Sequence, residues 1–226
     1  MSDRRGLSST NIATMLKLQD ELNKVINPEW VRANYPFLRA AFVEAAEALD
    51  HHGWKWWKSQ SPDFYQLQIE LIDILHFYFS DALVESGADV NVSLGNILRE
   101  MQETSILFDG VEYRLDELDI LQLLELLGAM AACRRRSFSV LDRLMDKCSL
   151  SWREAFYQYV SKNVLNLFRQ DHGYRDGSYI KIWGGEEDNV WLERISKEIN
   201  VDDDYPGQLR SKLEEKYLEF MNKAGD

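Results

Sequence analysis

Two apolar segments of this chain are each interrupted by a pair of acidic residues: Ala40-Ala-Phe-Val-Glu-Ala-Ala-Glu-Ala-Leu49 and Leu67-Gln-Ile-Glu-Leu-Ile-Asp-Ile-Leu75. Both pairs have the spacing i, i+3. On a helix of 3.6 residues per turn this spacing places the two side chains of a pair on one face, about 5–6 Å apart. The sequence therefore predicts two helices that each carry an acidic pair within apolar surroundings.

The charge of these pairs needs compensation if the segments are buried. Exposed like charges destabilise a helix by only a few tenths of a kcal/mol, but burying unpaired ions costs several kcal/mol each. No Lys or Arg lies within one turn of either pair, so a divalent cation is the simplest partner. The alternative is a solvated acidic stripe, which is the common fate of such pairs. Apolar neighbours on both sides of each acid favour the cation.

The ligand type narrows the choice of metal. Carboxylate oxygens, without cysteine or clustered histidine, favour Mg²⁺, with Mn²⁺ as a substitute, over zinc. Magnesium held by carboxylates usually completes its coordination with waters and substrate phosphates. A phosphate-bearing substrate is therefore the leading hypothesis.

The composition limits the classes of function. The chain has 226 residues, of which 45% are hydrophobic, enough for one large domain with a substantial core. A net charge of -12 argues against a nucleic-acid binder, because no basic stripe is available for the phosphate backbone. Neither cysteine lies in a metal-ligand spacing, and we expect reduced, mostly buried thiols. No membrane span or signal segment is evident, so we expect a cytoplasmic protein, in the host cytoplasm if it is phage-encoded.

Helical periodicity dominates the chain and predicts an all-α protein. We expect Asn34 and Ser61 to cap the second and third helices, and Ser151 and Glu154 to form a capping box. Gly87 should end the third helix. The predicted helices cover about 12–26, 34–53, 61–85, 93–102, 115–135, 137–148, 151–170, 189–199 and 206–222.

The only region without helical periodicity in the last third is rich in glycine. Residues 171–188 read as a loop, in which 179–183 is the one short strand candidate. Its glycine hinges and many hydrogen-bond donors are typical of a mobile lid that closes on an anionic ligand; a solvated loop is the alternative. We predict a single domain over 1–226, with a helical core over about 10–170, this loop, and C-terminal helices over 189–222.

Two further groups of residues could bind a nucleotide. Gln19 and Asn23 lie at i, i+4 on one helical face, and their carboxamides offer a donor and an acceptor that suit the imide edge of uracil; two solvent-facing polar residues are the alternative. Trp54-Lys-Trp-Trp-Lys58 could supply an aromatic wall and cations, although core packing of two of the three tryptophans is an equal possibility. Because a short link joins the second and third helices, these helices should be antiparallel and could bring all four acids together.

These motifs together resemble a known family, the dimeric all-α deoxyuridine triphosphatases, of the all-α NTP pyrophosphatase superfamily that includes the MazG-type enzymes. The pattern E-x-x-E … E-x-x-D matches the superfamily's magnesium signature. The resemblance to the family rests on Gln19-x-x-x-Asn23, on Trp54-Lys-Trp-Trp-Lys58 and on the stretch from Lys162-Asn to Asp-Asn189. It implies a helical bundle, a homodimer and Mg²⁺-dependent hydrolysis of dUTP to dUMP and pyrophosphate. Whether dUDP is also a substrate is left open.

The resemblance also implies roles for individual residues. Glu44, Glu47, Glu70 and Asp73 would ligate magnesium, and one of the first pair, preferably Glu47, would orient or deprotonate the attacking water. Gln19 and Asn23 would read the uracil edge, with Trp57 and His76 around the base or sugar and Lys58 nearby. The residues expected to hold the phosphates or close over them are Lys162, Asn163, Arg169, Tyr179, Lys181 and Asn189.

Two other functions remain open at this stage. One is a pyrophosphohydrolase of the same fold with another base specificity, such as dCTP or a modified nucleotide. The other is a non-catalytic helical interaction protein with a solvated acidic face. The number of metal ions, and whether water attacks the α or the β phosphorus, are also left open.

Overall fold

The computed structural model of the protein describes residues 7–199 and 204–223, and the chain divides into two compact units, Met1–Phe156 and Tyr157–Asp226. The assignment of the whole chain to a single domain stays a prediction. Within the described residues the α-helices are α1 Ser9–Ile26, α2 Phe37–His52, α3 Phe64–Ser86, α4 Val90–Glu100, α5 Ile120–Ala132, α6 Phe138–Lys147, α7 Trp152–Asp171, α8 Asp188–Glu198 and α9 Tyr205–Lys223.

The class is all-α, as the periodicity predicted. The only strands of the described residues are β1 Ser105–Phe108 and β2 Val111–Arg114, which form a hairpin in the first unit, and the two-residue strands β3 Ile182–Trp183 and β4 Glu186–Glu187 in the second. In the part of the chain that the structure describes, no helix combines the length and hydrophobicity that crossing a membrane would require.

The core of the first unit is built around α3. Most of its length is buried, and α2 packs against it more extensively than any other pair of elements in the unit, while α5 packs on α2. Small residues on α2 allow this close approach: Ala41, Ala45 and Ala48 are buried at helical spacing, and a β-carbon placed on Gly128 of α5 would lie 3.6 Å from that of Ala45. This packing fixes the rotation of α2, and with it the direction of its acidic pair.

Local capping explains where most helices begin and end. Ser151 and Glu154 form the predicted capping box: the Ser151 hydroxyl accepts from the Glu154 amide at 3.2 Å, and the Glu154 carboxylate accepts from the Ser151 amide at 2.9 Å. Gly87 ends α3 with φ of 67°, in the left-handed region that glycine adopts without strain. These ends were predictable because they depend on neighbours in the sequence.

Two predicted helix starts are wrong. Asn34 does not cap α2; its φ is 53°, and the helix begins three residues later, after Pro36. Ser61 does not cap α3; Asp63 does, because its carboxylate accepts from the Gln66 amide at 3.1 Å. A carboxylate at the N-cap serves the same free amides as a serine would.

The hairpin in the first unit was not predicted: it lies between the helices predicted over 93–102 and 115–135, a segment for which no strand was expected. The second of those helices also starts later than predicted, at Ile120. Between the two strands stand Asp109 and Gly110, with φ of 50° and 77°. Positive φ at both central residues defines the two-residue turn that favours Asp-Gly, so this dipeptide was the signal that the sequence contained. One smaller expectation also fails: Cys148 is buried, but Cys133 is exposed.

Candidate active site

The acidic pairs of α2 and α3 face each other. The Asp63 amide donates to the His51 carbonyl at 2.8 Å where the two helices meet the connecting segment, and further along Glu44 interacts with Asp73, so the helices run antiparallel as predicted. Carboxylate oxygens of Glu44, Glu47 and Glu70 all lie within 4.8 Å of one another. Three of the four predicted metal ligands therefore converge closely enough to share one ion.

The electrostatics of this carboxylate cluster centre on Glu44. Burial, the charge of Asp73 and a hydrogen bond with Glu70 raise the pKa of Glu44 to about 8. In the absence of a cation, a proton shared between Glu44 and Glu70 reduces the repulsion. Asp73 is the largest charge acting on Glu44 but lies outside the three-residue group, so the fourth predicted ligand is adjacent to the cluster rather than within it.

Exposure differs between the acids and separates their possible roles. Glu70 is buried, Glu44 is half-buried and Glu47 is exposed. Water can reach Glu47 directly, whereas Glu70 lies beneath the cluster. The sequence also missed a neighbour: His51, at the end of α2, places Nε2 3.5 Å from Oε1 of Glu70. Nothing in the spacing of the histidines indicated this contact, which depends on the antiparallel pairing of the two helices.

A buried polar network continues along the same face of α3. Oε1 of Gln19 lies 2.7 Å from Nδ1 of His76, and Nε2 of Gln19 donates to Oδ1 of Asn23 at 3.0 Å. Nδ2 of Asn23 donates to the hydroxyl of Ser80 at 3.0 Å. All four residues are buried, so the alternative of two solvent-facing amides is wrong. Ser80 was not among the predicted residues, because a serine in a helical segment carries no local signal of such a role.

The tryptophan segment is on the surface. Trp54, Trp56 and Trp57 are all exposed, and the ring of Trp57 meets the other two edge to face at 5.4 and 5.3 Å. The alternative of core packing for two of the three is therefore wrong. Lys55 contacts both Asp50 and the Trp54 ring, while Lys58 is exposed at the end of the segment. The structure leaves the three rings accessible to a ligand.

In the second unit, several predicted phosphate-binding residues converge on one carboxylate. Asp188 is fully buried; it accepts from Nε and Nη2 of Arg169, both at 2.8 Å, and from the Tyr179 hydroxyl at 2.8 Å. Asn189 accepts from Nζ of Lys162 at 3.2 Å and from Arg169 at 3.4 Å. We call this group, with Asp188 at its centre, the Asp188 cluster.

In the Asp188 cluster, the negative charge of Asp188 is compensated by the positive charge of Arg169. Burial lowers the pKa of Arg169, but the hydrogen bonds and charge of Asp188 outweigh it and raise this pKa above its usual value. Burial also raises the pKa of the Tyr179 hydroxyl, and Asp188 raises it further. Sequence reasoning missed Asp188, although an acid directly before Asn189 stood inside the recognised motif. Of the other two predicted residues, Asn163 is buried and Lys181 forms an exposed ion pair with Glu187 at 2.9 Å.

The glycine-rich loop has positions that only glycine fits. At Gly173, φ is 85° and a β-carbon would lie 2.0 Å from the Ser178 hydroxyl oxygen. At Gly184, φ is 59° and a β-carbon would lie 2.3 Å from the ring of Phe220. The loop is thus held in a defined path within the second unit, and its movement as a lid stays a prediction.

The helical fold and the acidic cluster on paired helices are the features expected of a helical enzyme that acts on a phosphate-containing substrate. Comparison with protein families agrees with this class: a family model described as dUTPase matches residues 11–174. The chain belongs to the all-α dUTPase family and is a dUTP diphosphatase, an enzyme that hydrolyses dUTP. No curated protein matches the chain.

Proposed function

We propose that the protein hydrolyses dUTP to dUMP and pyrophosphate in a Mg²⁺-dependent reaction at the carboxylate cluster of α2 and α3. The observation that carries the proposal is the convergence of Glu44, Glu47 and Glu70, whose oxygens lie within 4.8 Å of one another. No other arrangement of the described residues brings three potential metal ligands so close.

The residues of the cluster fit a hard divalent cation. All donors are carboxylate oxygens, which Mg²⁺ and Mn²⁺ prefer. The raised pKa of Glu44, at about 8, reflects burial and negative charge that a cation would compensate. Asp73, close enough to act on Glu44, would complete the set of ligands. When bound, Mg²⁺ neutralises charge on phosphate oxygens and lowers the pKa of a nearby water.

The exposure of each acidic side chain suggests its role in the reaction. Glu47, as the exposed acid, would accept a proton from the attacking water and orient it. Glu70 and Glu44 would hold their positions through burial and through the contact of Glu70 with His51. In reactions of this kind, most of the rate enhancement comes from holding the attacking water in line with the bond that breaks.

Base recognition would use the polar network of Gln19, Asn23 and His76. Uracil presents two carbonyl oxygens and an N–H, and carboxamides can both donate to and accept from such an edge. Cytosine carries an amino group in place of one carbonyl, so the same amides would meet a mismatched donor. The exposed Trp57 offers a face for the base or sugar, and Lys58 a cation beside it.

The phosphate-binding role of the second unit follows from the resemblance. We propose that the predicted cations Lys162, Arg169 and Lys181 contact anionic oxygens of the nucleotide; Lys181 is the most accessible of these three, and Arg169 is held by Asp188. Asn163, Tyr179 and Asn189 belong to the same proposal. A homodimer, also carried by the resemblance, would be measured directly by light scattering at several protein concentrations.

Pyrophosphate release from a panel of nucleotides tests the proposal. With Mg²⁺ or Mn²⁺ we expect dUTP to be the best triphosphate, ahead of dCTP, dTTP and dATP, and no turnover after removal of divalent ions with EDTA. Release of phosphate from dUDP is scored separately. Turnover that continues without divalent ions would refute the metal-dependent mechanism, and a preference for dCTP would refute the proposed base recognition.

A further inference from the structure

In the polar network of Gln19, Asn23, His76 and Ser80, each hydrogen bond has a defined donor and acceptor. The hydroxyl of Ser80 determines which group donates in each of them. A serine hydroxyl has one proton to donate. Ser80 donates that proton to the backbone carbonyl of His76 at 3.0 Å, one turn earlier in α3. Towards Asn23, the Ser80 oxygen can therefore only accept. The Asn23 amide must then turn its NH₂ group to Ser80, which is the orientation observed at 3.0 Å.

The orientation of the Asn23 amide in turn determines the hydrogen bonding of Gln19 and His76. With its NH₂ group on Ser80, Asn23 presents its oxygen to Gln19, which must donate through Nε2. Gln19 then presents Oε1 to His76. Because a carbonyl oxygen only accepts, Nδ1 of His76 must carry a proton. One hydroxyl thus fixes the orientation of two amides and the protonation of one imidazole nitrogen.

A second, reversed arrangement of the same residues satisfies every amide. In it, Ser80 donates to the oxygen of Asn23, Asn23 donates to Gln19, and Gln19 donates to an unprotonated Nδ1 of His76. This arrangement requires the Ser80 proton to leave the His76 carbonyl, with the loss of one buried hydrogen bond. The bond from Ser80 to the backbone is therefore what distinguishes the two arrangements.

The two arrangements present opposite hydrogen-bonding groups. Turning an amide over exchanges its donor and its acceptor, and the Watson–Crick edges of uracil and cytosine differ by the same exchange at two positions. We propose that Ser80 is a specificity-determining positioning residue, which holds Asn23 and Gln19 in the orientation that selects uracil over cytosine. This inference rests on the proposed function, in which these amides read the base. Ser80 itself need not touch the substrate.

The test compares the kcat/KM ratio for dUTP over dCTP between the wild type and Ser80→Ala. Removal of the hydroxyl leaves a side chain of similar size at this fully buried position, so the fold should be retained. We expect the ratio to fall roughly 3- to 10-fold, the range expected for the loss of one hydrogen bond, through a gain for dCTP as well as a loss for dUTP.

Ser93→Ala is the matched control. Ser93 is equally buried, and its hydroxyl donates to a backbone carbonyl of α3, that of Ala82, at 3.2 Å. It takes no part in the network, so its removal should leave the ratio unchanged. A merely structural role of Ser80 would lower kcat/KM for both nucleotides alike and would leave the ratio constant; that result would overturn the proposal.

The nitrogen-15 chemical shifts of the His76 ring, measured without nucleotide where the ring is neutral, give an independent readout. We expect a protonated Nδ1 in the wild type and a mixture of tautomers in Ser80→Ala. An unchanged tautomer would contradict the role of Ser80. If Ser80→Ala does not fold, Ser80→Cys keeps the shape with a weaker donor and should show a smaller change of the same sign.

The failures of the two proposals are distinguishable. A wild type that does not prefer dUTP over dCTP would overturn the base-reading function and, with it, the role of Ser80 in specificity. A selective wild type whose selectivity survives in Ser80→Ala would overturn only the role of Ser80. Ser80→Thr, which retains the hydroxyl, should keep the wild-type ratio.

Discussion

The carboxylate cluster of the first unit and the Asp188 cluster of the second treat buried negative charge in opposite ways. Asp188 is fully buried, but it has a bidentate partner in Arg169 and a hydroxyl donor in Tyr179. Glu44 and Glu70 face other acids, and the pKa of Glu44 rises to about 8. The charge of Asp188 is compensated within the protein and is therefore assigned a structural function, whereas the acids of α2 and α3 are those that we propose to bind a cation.

The same contrast between buried, paired charge and accessible charge distinguishes two cationic residues of the second unit, Arg169 and Lys181. Arg169 is held by Asp188, Asn166 and Asn189, so most of its donors already have partners within the second unit. Among the residues that the structure describes, the side chain of Lys181 pairs only with Glu187, and this pair is exposed, where ion pairs are weak. Arg169 should therefore matter first for the stability of this unit, and Lys181 for ligand affinity.

Glu47→Gln should have the largest effect on activity. The change keeps size but removes the base, and we expect kcat to fall by roughly 10²–10⁴-fold, with the melting temperature nearly unchanged because Glu47 is exposed. Steady-state pyrophosphate release measures the effect. Glu125→Gln, at an exposed acid on α5, is the control and should retain full activity. Equal activities of the two variants would contradict the catalytic assignment.

Asp188→Ala should have the largest effect on stability. It leaves the Arg169 guanidinium buried without its carboxylate, and loss of one partner from such a pair destabilises a protein by about 3–5 kcal/mol. Urea denaturation followed by circular dichroism measures the change in the free energy of unfolding. Glu186→Ala, which breaks the exposed pair with Arg194, should change stability little. If both variants are equally stable, Asp188 does not organise the second unit.

Glu44 should make the metal-free protein less stable as the pH rises. The folded state holds the Glu44 proton up to a pKa of about 8, whereas the unfolded carboxyl loses it near the ordinary value of 4.5. Between these values the folded state binds more protons, so the free energy of unfolding falls as the pH increases. Denaturation midpoints in EDTA across this window measure the effect.

Glu44→Gln provides the comparison for this pH dependence. The substituted amide does not titrate, so the slope of stability against pH should become flatter in this window. A slope that is the same in the wild type and in Glu44→Gln would show that other groups cause it.

Lys181→Ala should have the smallest effect. Its ion pair with Glu187 is exposed on both sides, so the free energy of unfolding should change by less than about 1 kcal/mol. If Lys181 contacts the nucleotide, KM for dUTP should increase a few-fold at low salt and less at high salt, because screening weakens exposed charges. A large loss of stability would place Lys181 with Arg169 among the structural residues.

The sequence predicted those features that depend on local spacing. The acidic pairs could be assigned to helix faces because i, i+3 spacing is a property of any helix, and a short connection made α2 and α3 antiparallel. The capping box at Ser151 and the end of α3 at Gly87 were predictable for the same reason. The packing of Ala45 against Gly128 then fixed the rotation that sequence alone left open.

Features that depend on contacts distant in the sequence were missed. Ser80 reaches Asn23 only because α1 packs on α3, and His51 reaches Glu70 only across the pair of helices. The burial of Asp188 depends on how α7 and the glycine-rich loop meet. The hairpin at Asp109-Gly110 is different: its signal was local and present in the sequence, but the segment between the helices predicted over 93–102 and 115–135 was not assigned to any strand.

Direct binding of Mn²⁺, followed by the loss of its free-ion signal in electron paramagnetic resonance, tests the central claim. We predict that the wild type and Glu125→Gln bind Mn²⁺ equally, and more tightly above pH 8 than below it, since the ligands must be deprotonated. Glu70→Gln, which removes one charge from the centre of the cluster, should bind at least about tenfold more weakly. Equal affinity of Glu70→Gln and the wild type would contradict the account, because the acids of α2 and α3 would then not share a cation.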